Sequence, residues 1–582
     1  MAGFRSWRRG QWRWDVAAPF DGAADMARQL GTAPLVAQIL HNRGVVNEAA
    51  GRAFLNPKLT DLHDPAMLAG AEAAAERIVA AVRNKEPIVI YGDYDVDGMT
   101  ATAILHACIV MIGGRADYYV PHRLEEGYGV NVEAMRKIVA GGAKLVITVD
   151  CGISALEPLT EAAAAGVDVI VTDHHIPGPQ LPHACAIVHP ALGTPAYPNP
   201  DLSGAGVAFK VAWQVARAHC GAVKVNETLK EFLLNATCLA ALGTIADVVP
   251  LVGENRALAT FGLRGLPASK QAGLRALIES ASLTGQSLGA YDVGFKLAPR
   301  LNACGRMGHA RDAVEMLTGE DETRCRAIAK DLSQKNTERQ TVERQIAAEA
   351  VEMVRARGLD GDANRVIVLA SPAWHGGVIG IVASRLVDQF HRPAVLISLN
   401  GSGGQGSARS IPGFHMADAL SACGAHLISF GGHAMAGGLR IEEANVPAFV
   451  EAMSTYAATA VSDRQMTSAL QIDAEVSLSS LNYMAVDHLA RLAPFGQGNP
   501  APLVAVRGCR VLVPPKRMGK SGQTVGLMLA QGDVRMRAVG FNMGDLCDEM
   551  AAVNTIDVAA RPSLNTFNGN TSIELQLEDV TW

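Results

Sequence analysis

The sequence predicts an α/β protein in which two α/β domains are joined by a long helix and followed by a small β barrel. Three patterns carry this prediction. Apolar strands alternate with helical segments between residue 85 and about residue 175. The segment from Asp321 to about Arg357 is rich in charged residues and contains no Gly or Pro, which favours one continuous helix. After about residue 467, short alternating runs indicate the strands of a barrel.

The composition limits the class of protein. With 582 residues the chain is too long for a single core, so several domains are expected. The sequence is 49% hydrophobic and carries a net charge of -6, which indicates a soluble globular protein and argues against a wholesale nucleic-acid coat. No apolar run approaches about 18 residues, so no membrane span is expected. Residues 1–15 lack the apolar core of a signal peptide, and ten cysteines show no pairing pattern. A reducing, cytoplasmic location is therefore expected.

The elements of the first α/β domain follow in order. Residues 1–84 are predicted to form an Ala-rich helical segment that packs on this domain, which covers 85–318. Strands are predicted at 88–91, 116–120, 144–149 and 167–172, with helices between them. This alternation predicts a parallel sheet with helices on both faces. Such sheets bind ligands beyond the carboxyl ends of their strands.

Acidic and histidine side chains follow three of these strands. They are Asp93, Asp95 and Asp97 after the first strand, Asp150 after the third, and Asp173-His174-His175 after the fourth. Carboxylates packed closely together raise one another's pKa unless a cation neutralises them, and hard divalent metals prefer oxygen ligands. The pattern therefore favours a metal site at this edge, with Asp150 placed to bridge two ions. Later in the chain, Asp247 is an acid inside an otherwise apolar, small-residue segment.

Other interpretations of these residues fit the sequence less well than a metal site. An EF-hand would need Glu at its twelfth position, where this sequence has Ile104. A solvated acidic turn explains one cluster but not three at neighbouring strand ends. Adjacent His174 and His175 point apart in ordinary backbone geometry, so one is expected to bind metal and the other to contact the substrate or to support the metal ligands. No H-E-x-x-H motif occurs, which excludes that class of zinc protease.

The second α/β domain, expected at 361–464, contains glycine-rich stretches. Residues 401–406 satisfy G-x-G-x-x-G, but Pro412 makes the helix required for a dinucleotide site improbable. A glycine-rich loop followed by Arg409 suits an anionic backbone instead. Arg123 follows a strand, and Arg306 lies in a stretch predicted to be irregular, at 299–307. Lys516 and Arg517, on a predicted loop between strands, form a candidate DNA-backbone patch, although a solvated loop explains them nearly as well.

Together these motifs resemble the DHH phosphoesterase superfamily and, within it, the RecJ family of single-stranded-DNA exonucleases. The matching segments are GDYDVDGMTA (92–101), TVDCGIS (148–154), VTDHH (171–175), GTIADVVPL (243–251), PRLNACGRMGHARDAVEML (299–317), WHGGVIGIVASRL (374–386), GSARSIPGFH (406–415) and FGGHAMAGGL (430–439). They span most of the chain. The resemblance implies a DHH domain at 85–318, a connector helix at 319–360, a DHHA1 domain at 361–464 and an OB-fold at 465–582.

The resemblance also assigns roles to residues. The implied metal ligands are Asp93, Asp95, Asp97, Asp150, His174 and Asp247; the implied catalytic residues are Asp95, Asp97, Asp150, His174 and His175; the implied phosphate contacts are Arg123, Arg306, Arg409 and His433. The implied reaction is 5′→3′ digestion of single-stranded DNA to 5′-mononucleotides, by a two-metal mechanism with Mn²⁺ or Mg²⁺, in DNA repair and recombination. A single-stranded-DNA-binding protein and a helicase are expected partners by family role, and a monomer is expected.

Two other functions remain open at this point. One is a small-molecule or oligonucleotide phosphodiesterase of the same superfamily, which would lack the C-terminal barrel and the 299–307 block. The other is a non-catalytic replication scaffold resembling this family, which would have lost acids from the metal motifs. Here all of those acids are present.

Overall fold

The computed structural model describes residues 12–123, 125–127, 129–401, 403–567 and 569–582. These residues form two compact units. We call the unit made of 56–339 and 494–500 the acidic unit, because it contains the acidic clusters. The flanking unit consists of the described residues up to 55 together with 340–493 and 501–582. Residues 1–11, which include most of the segment searched for a signal peptide, lie outside the described residues.

The chain begins in the flanking unit with one strand and three helices: β1 (Trp12–Val16), α1 (Ala23–Leu30), α2 (Pro34–Asn42) and α3 (Glu48–Leu55). Sequence reasoning placed residues 1–84 as one segment on the first α/β domain. Residues 12–55 instead group with the flanking unit, and 56–84 with the acidic unit. The physical reason is strand pairing, since β1 pairs in parallel with Ser468–Ile472, far along the sequence.

The acidic unit alternates helices and strands in its first half. In order these are α4 (Ala71–Arg83), β2 (Ile88–Gly92), α5 (Val96–Met111), β3 (Ala116–Tyr119), α6 (Val132–Ala140), β4 (Leu145–Val149), α7 (Leu156–Ala164), β5 (Asp168–Thr172) and β6 (Ala186–Val188). The sheet order is β3-β2-β4-β5-β6, and every neighbouring pair is parallel. The predicted parallel sheet is confirmed, and its carboxyl ends meet along one edge.

The second half of the acidic unit is helical. Its helices are α8 (Gly204–Cys220), α9 (Glu227–Ala246), α10 (Gly253–Gly265), α11 (Ala272–Ser280), α12 (Ala290–Asp292), α13 (Ala298–Met307) and α14 (Arg311–Thr318). Helices α5, α8 and α9 contribute to one buried apolar core with β2 and β4. The next helix, α15 (Glu322–Ala356), has 35 residues, and the division between the units falls within it.

The stretch predicted to be irregular at 299–307 is a helix, and that prediction is wrong. A π-helical turn, Val293–Leu297, leads directly into α13. Pro299 lies in the first turn of α13, directly after this π-helical turn. Leu301 and Cys304 are fully buried. Tertiary packing therefore stabilises a helix that the local Pro, Asn and Gly residues disfavour.

Helix α9 passes a test of length and composition for a membrane span. Among the described residues it is the one helix that does so, with a mean hydropathy of 1.3 over its most apolar window. Within the protein, 67% of that window is buried. A core helix of this kind passes the same test, so the finding is weak evidence for a span.

The flanking unit continues with an α/β layer. Its elements are β7 (Ile367–Ser371), α16 (Gly376–Phe390), β8 (Ala394–Leu399), β9 (Gly404–Arg409), α17 (Met416–Ala422), β10 (Ser429–Gly432), β11 (Ala436–Ile441) and α18 (Val446–Ala460). The sheet order is β10-β11-β9-β8-β7, with β7 and β8 parallel and the other pairs antiparallel. The predicted glycine-rich loop is therefore largely strand β9. A strand rather than a helix follows Gly403, as the rejection of a dinucleotide site requires; Ser402 lies outside the described residues.

The C-terminal region is a β barrel. It comprises β12 (Ser468–Ile472), β13 (Ala474–Glu475), α19 (Tyr483–Ala490), β14 (Val504–Met518), β15 (Thr524–Gln531), β16 (Val534–Gly540), α20 (Cys547–Ala551), β17 (Thr555–Phe567) and β18 (Asn570–Thr581). The strand order is β14-β15-β16-β18-β17, and a further β14–β17 pairing closes these five strands into a barrel. The predicted small barrel is confirmed.

Candidate metal centre

The centre begins where β2 turns into α5. Asp95 is the N-cap of α5, and its Oδ1 accepts hydrogen bonds from the backbone N–H groups of Asp97 (2.9 Å) and Gly98 (3.1 Å). An Asp at this position satisfies N–H groups that have no partner within the helix. A Cβ on Gly98 would lie 2.7 Å from the backbone nitrogen of Asp93, so only glycine fits there. The tight turn keeps Asp93 and Asp97 buried at the sheet edge.

Two helices from later in the chain approach these acids. The backbone N–H groups of Gly204 and Ala205, at the start of α8, donate to Asp97 at 2.6 and 3.0 Å. A Cβ on Gly204 would lie 2.5 Å from Asp150 Oδ1, and a Cβ on Gly243 of α9 would lie 2.3 Å from Asp97 Oδ1. The glycines therefore permit an approach that any larger residue would prevent.

Asp150, His174 and Asp247 complete the cluster. His174 Nε2 lies 3.1 Å from Asp150 Oδ1 and 3.6 Å from Asp247 Oδ2. Three overlapping groups each bring their ligand atoms within 4.8 Å of one another: Asp93, Asp95 and Asp150; Asp97, His174 and Asp247; and Asp150, His174 and His175. The structure thus brings together all six residues proposed from the sequence as metal ligands.

The second histidine is held by an acid that sequence reasoning did not assign. Asp173 is buried, and its Oδ1 lies 2.7 Å from His175 Nδ1. The same carboxylate accepts hydrogen bonds from the backbone N–H groups of Ile153, His174 and His175. Asp173 therefore orients the His175 ring. The signal in the sequence was a carboxylate next to a histidine pair, a common arrangement for fixing a ring near a metal.

Burial and nearby charges change the pKa values of the acids and histidines in the cluster. Burial, with the charge of nearby Asp95, raises the pKa of Asp97 to about 7. Burial and the charges of Asp97 and Asp95 raise the pKa of Asp247 to about 9. Burial lowers the pKa of His174 to about 4, which keeps its ring neutral and able to bind metal. Burial disfavours charge on His175, but the hydrogen bond and the charge of Asp173, together with the charges of Asp247 and Asp93, outweigh it and raise the pKa of His175 to about 9.

Three buried atoms of the cluster make no hydrogen bond: Asp93 Oδ1, Asp150 Oδ1 and His174 Nε2. Buried polar atoms are almost always paired, because leaving one without a partner is costly. A set of carboxylate oxygens with one neutral imidazole is the donor set of Mn²⁺ and Mg²⁺ sites. Divalent cations would satisfy these atoms and neutralise the repulsion, so the residues fit such ions.

Two of the predicted phosphate contacts lie in the acidic unit. The guanidinium carbon of Arg123 lies 4.8 Å from the centre of the Tyr94 ring. Arg306 is on α13, whose Asn302 Oδ1 accepts a hydrogen bond from the backbone N–H of Val96 at 3.1 Å. Burial and Asp93 raise the pKa of Tyr94 to about 12, while Arg123 and Arg306 oppose that rise. Both arginines are therefore close to the acidic turn.

The other predicted contacts belong to the flanking unit. Arg409 ends β9 and faces Ala436 across the strand pair, and the backbone N–H of His433 donates to Ala436 O at 2.8 Å. Arg409 and His433 thus share one end of that sheet. Lys516 and Arg517 lie within β14, not on a loop as predicted, and Arg517 Nη2 is 2.9 Å from Asp548 Oδ2.

Comparisons with known proteins cover nearly the whole chain. Family models match at three places: the DHH family, N-terminal domain, at 87–241; the DHHA1 domain at 363–459; and the RecJ OB domain at 472–579. The single-stranded-DNA-specific exonuclease RecJ of Bacillus subtilis is 38% identical over 98% of this chain and 70% of its own length. The protein of that name from Dickeya dadantii is 35% identical over 90% of this chain and 93% of its own length.

Solved structures agree with these relatives. The crystal structure of RecJ in complex with Mn²⁺ from Thermus thermophilus superimposes with a TM-score of 0.84 at 32% identity, covering 99% of this chain and 80% of that one. The same protein in complex with Mg²⁺ gives a TM-score of 0.79 at 31% identity, covering 98% and 79%.

Proposed function

We propose a reaction for this chain from one premise: it belongs to the RecJ family of single-stranded-DNA-specific exonucleases. The chain is a metal-dependent exonuclease that hydrolyses phosphodiester bonds of single-stranded DNA. Beyond that, we propose that it digests from the 5′ end, releases 5′-mononucleotides and uses two metal ions. Its role is DNA repair and recombination.

The observation that carries the proposal is the buried cluster with atoms that lack hydrogen-bond partners. We assign Asp93, Asp95, Asp97, Asp150, His174 and Asp247 as the residues that hold two Mn²⁺ or Mg²⁺ ions. Asp150 belongs to two of the three groups of closely spaced ligand atoms described above. When bound, two such ions supply activation of a water molecule and neutralisation of charge on the scissile phosphate. His174 serves as a neutral ligand, because burial disfavours its charged form.

The remaining residues of the acidic unit bind and orient the DNA. His175, kept protonated at neutral pH by Asp173, offers positive charge to a phosphate oxygen next to the ligands. Arg123 and Arg306 provide guanidinium groups suited to two-point phosphate contacts. In the flanking unit, Arg409 and His433 are proposed to contact DNA phosphates, and Lys516 and Arg517 to follow the strand on the barrel. For Arg517 this requires competition with Asp548.

Single-stranded DNA is the substrate. We propose that a single-stranded-DNA-binding protein and a helicase supply this strand, that the chain acts as a monomer, and that it acts in the cytoplasm where chromosomal DNA is accessible. The OB barrel supports a role with long strands, since barrels of this type bind single strands by stacking and by backbone electrostatics.

One digestion experiment tests substrate, direction and metal together. Single- and double-stranded oligonucleotides labelled at the 5′ or the 3′ end are incubated with the protein and Mn²⁺. A 5′-labelled single strand should release labelled mononucleotide at once, a 3′-labelled strand should shorten progressively, and the duplex should resist. Asp150→Ala should be inactive with an unchanged circular dichroism spectrum. Immediate release of the 3′ label, or full activity of Asp150→Ala, would contradict the direction or the metal assignment.

A further inference from the structure

A glycine-rich loop from late in the chain belongs to the acidic unit. The loop Pro494–Pro500 has the sequence PFGQGNP and groups with residues 56–339, although residues 493 and 501 on either side belong to the flanking unit. Nothing in the proposed reaction uses this loop. Its contacts converge on the segment that follows the proposed ligand Asp247.

That segment is an unusually shaped turn. Asp247 caps the C-terminus of α9, and its backbone N–H donates to Gly243 O at 2.9 Å. The next residue, Val248, has φ of 64°, a left-handed conformation that a β-branched residue rarely adopts. Val248 is 62% exposed, so burial of this valine does not compensate for the strain. Strained backbone of this kind persists only where the surrounding structure holds it.

The loop contacts this turn at Pro250 and Leu251. The backbone N–H of Leu251 donates to Gln497 O at 2.8 Å. A Cβ on Gly496 would lie 2.7 Å from Leu251 Cδ1, and a Cβ on Gly498, whose φ is 69°, would lie 3.2 Å from Pro250 Cβ. Loop and turn are therefore in close contact, and a side chain at Gly496 would press on Leu251.

Hydrogen bonds within the loop stabilise its conformation. Asn499 is fully buried, its Nδ2 donates to Pro494 O at 2.7 Å, and its backbone pairs with Gly496 in both directions. The same turn has a second contact, since buried Asn255 donates from Nδ2 to Pro250 O at 3.1 Å. The residues after Asp247 are thus held both by Asn255, at Pro250, and by the loop, at Leu251.

We propose that the loop Pro494–Pro500 is a positioning element for the metal site, and that Asn499 keeps Asp247 in place by stabilising the loop against the strained turn. This inference rests on the proposed role of Asp247 as a metal ligand. It makes a metal centre in the first half of the sequence dependent on residues more than two hundred positions later. Groups that orient metal ligands typically change metal affinity about 10- to 100-fold when they are removed.

The test is binding of Mn²⁺ to the full chain, measured by the electron paramagnetic resonance signal of free Mn²⁺. Asn499→Ala should weaken Mn²⁺ binding about 10-fold, and exonuclease activity lost at low Mn²⁺ should return as Mn²⁺ is raised. Gly498→Ala should act in the same direction, because its methyl group would press on Pro250, and it serves if Asn499→Ala does not fold. Ile278→Val is the matched control: it loosens the core of the same unit at α11, which carries no proposed ligand, and should bind Mn²⁺ like the wild type.

The outcomes separate this inference from the proposed function. If Asp247→Asn binds Mn²⁺ as tightly as the wild type, the assignment of Asp247 as a ligand fails, and this inference fails with it. If Asp247→Asn weakens binding while Asn499→Ala and Gly498→Ala do not, the positioning role of the loop is refuted and the metal assignment stands. Weakened binding by Ile278→Val to the same degree would also refute it, because general loosening would then explain the effect.

Discussion

Replacing Asp247 by Asn should stabilise the metal-free protein while it removes a metal ligand. Asp247 is one of several carboxylates whose charges face one another, and its pKa is raised to about 9 by burial and by Asp97 and Asp95. The ligand atoms of Asp97, His174 and Asp247 lie within 4.8 Å of one another. Two charges at that separation repel by about 3 kcal/mol at an effective dielectric constant of about 20.

The expected gain for Asp247→Asn, measured with EDTA present, is therefore about 2–3 kcal/mol in the free energy of unfolding. For a unit of this size we expect a rise of about 4–8 °C in Tm. Because the folded-state pKa of this acid is raised, its unfavourable contribution is absent below the ordinary pKa. It grows as the pH rises toward 9. The stability difference between variant and wild type should therefore be larger at about pH 8 than at about pH 6.

The assay is thermal unfolding followed by circular dichroism at both pH values, first with EDTA and then with Mn²⁺. With Mn²⁺ the advantage of the variant should shrink, since a ligand that binds only the folded state stabilises it by about 2.7 kcal/mol at one hundred times its Kd. The wild type should gain this stabilisation from Mn²⁺, and the variant, which lacks one ligand, should gain less. A variant that is no more stable than the wild type in EDTA would refute the reasoning, as would a stability difference that shrinks as the pH is raised between those two values.

Three further outcomes follow from the contacts. Glu254→Gln should lower the free energy of unfolding by about 3–5 kcal/mol in urea titration, because it leaves the fully buried ammonium of Lys210 without its carboxylate. Asp173→Asn should return the pKa of His175 from about 9 toward its ordinary value, so the variant should lose activity between about pH 7 and pH 8 where the wild type does not; parallel pH profiles would contradict this. Gly243→Ala should abolish Mn²⁺ binding in the same resonance titration, because its methyl group would lie 2.3 Å from a carboxylate oxygen of a proposed ligand; wild-type affinity would show that α9 can move away.

The ligand set was accessible to sequence reasoning because of one topological rule. Residues after parallel strands meet at one edge, so the strand pattern alone predicts that Asp93, Asp150 and His174 lie together. The same rule does not predict the position of Asp247, which lies at the end of helix α9. Its assignment depended on the resemblance of the surrounding motif to a known family.

What sequence reasoning missed depends on contacts between distant segments. Asp97 accepts hydrogen bonds from the start of α8, about one hundred residues away. No local sequence pattern at Gly204 predicts this contact. Helix α13 forms despite Pro299 because its neighbours bury Leu301 and Cys304. The loop Pro494–Pro500 is glycine-rich, but its membership of the acidic unit depends on contacts such as those with Leu251, which the sequence does not show.

The parallel pairing of β1 with β12 has a consequence for how the protein is made. Trp12 pairs with Ser468, and the indole N–H of Trp14 donates to Asp579, so both partners of β1 are synthesised about 450 or more residues later. At about 5–20 residues per second, a ribosome needs roughly 20–90 s to cover that distance. During this time β1 has no strand partner on the growing chain, so the flanking unit closes only after these distant residues have been synthesised.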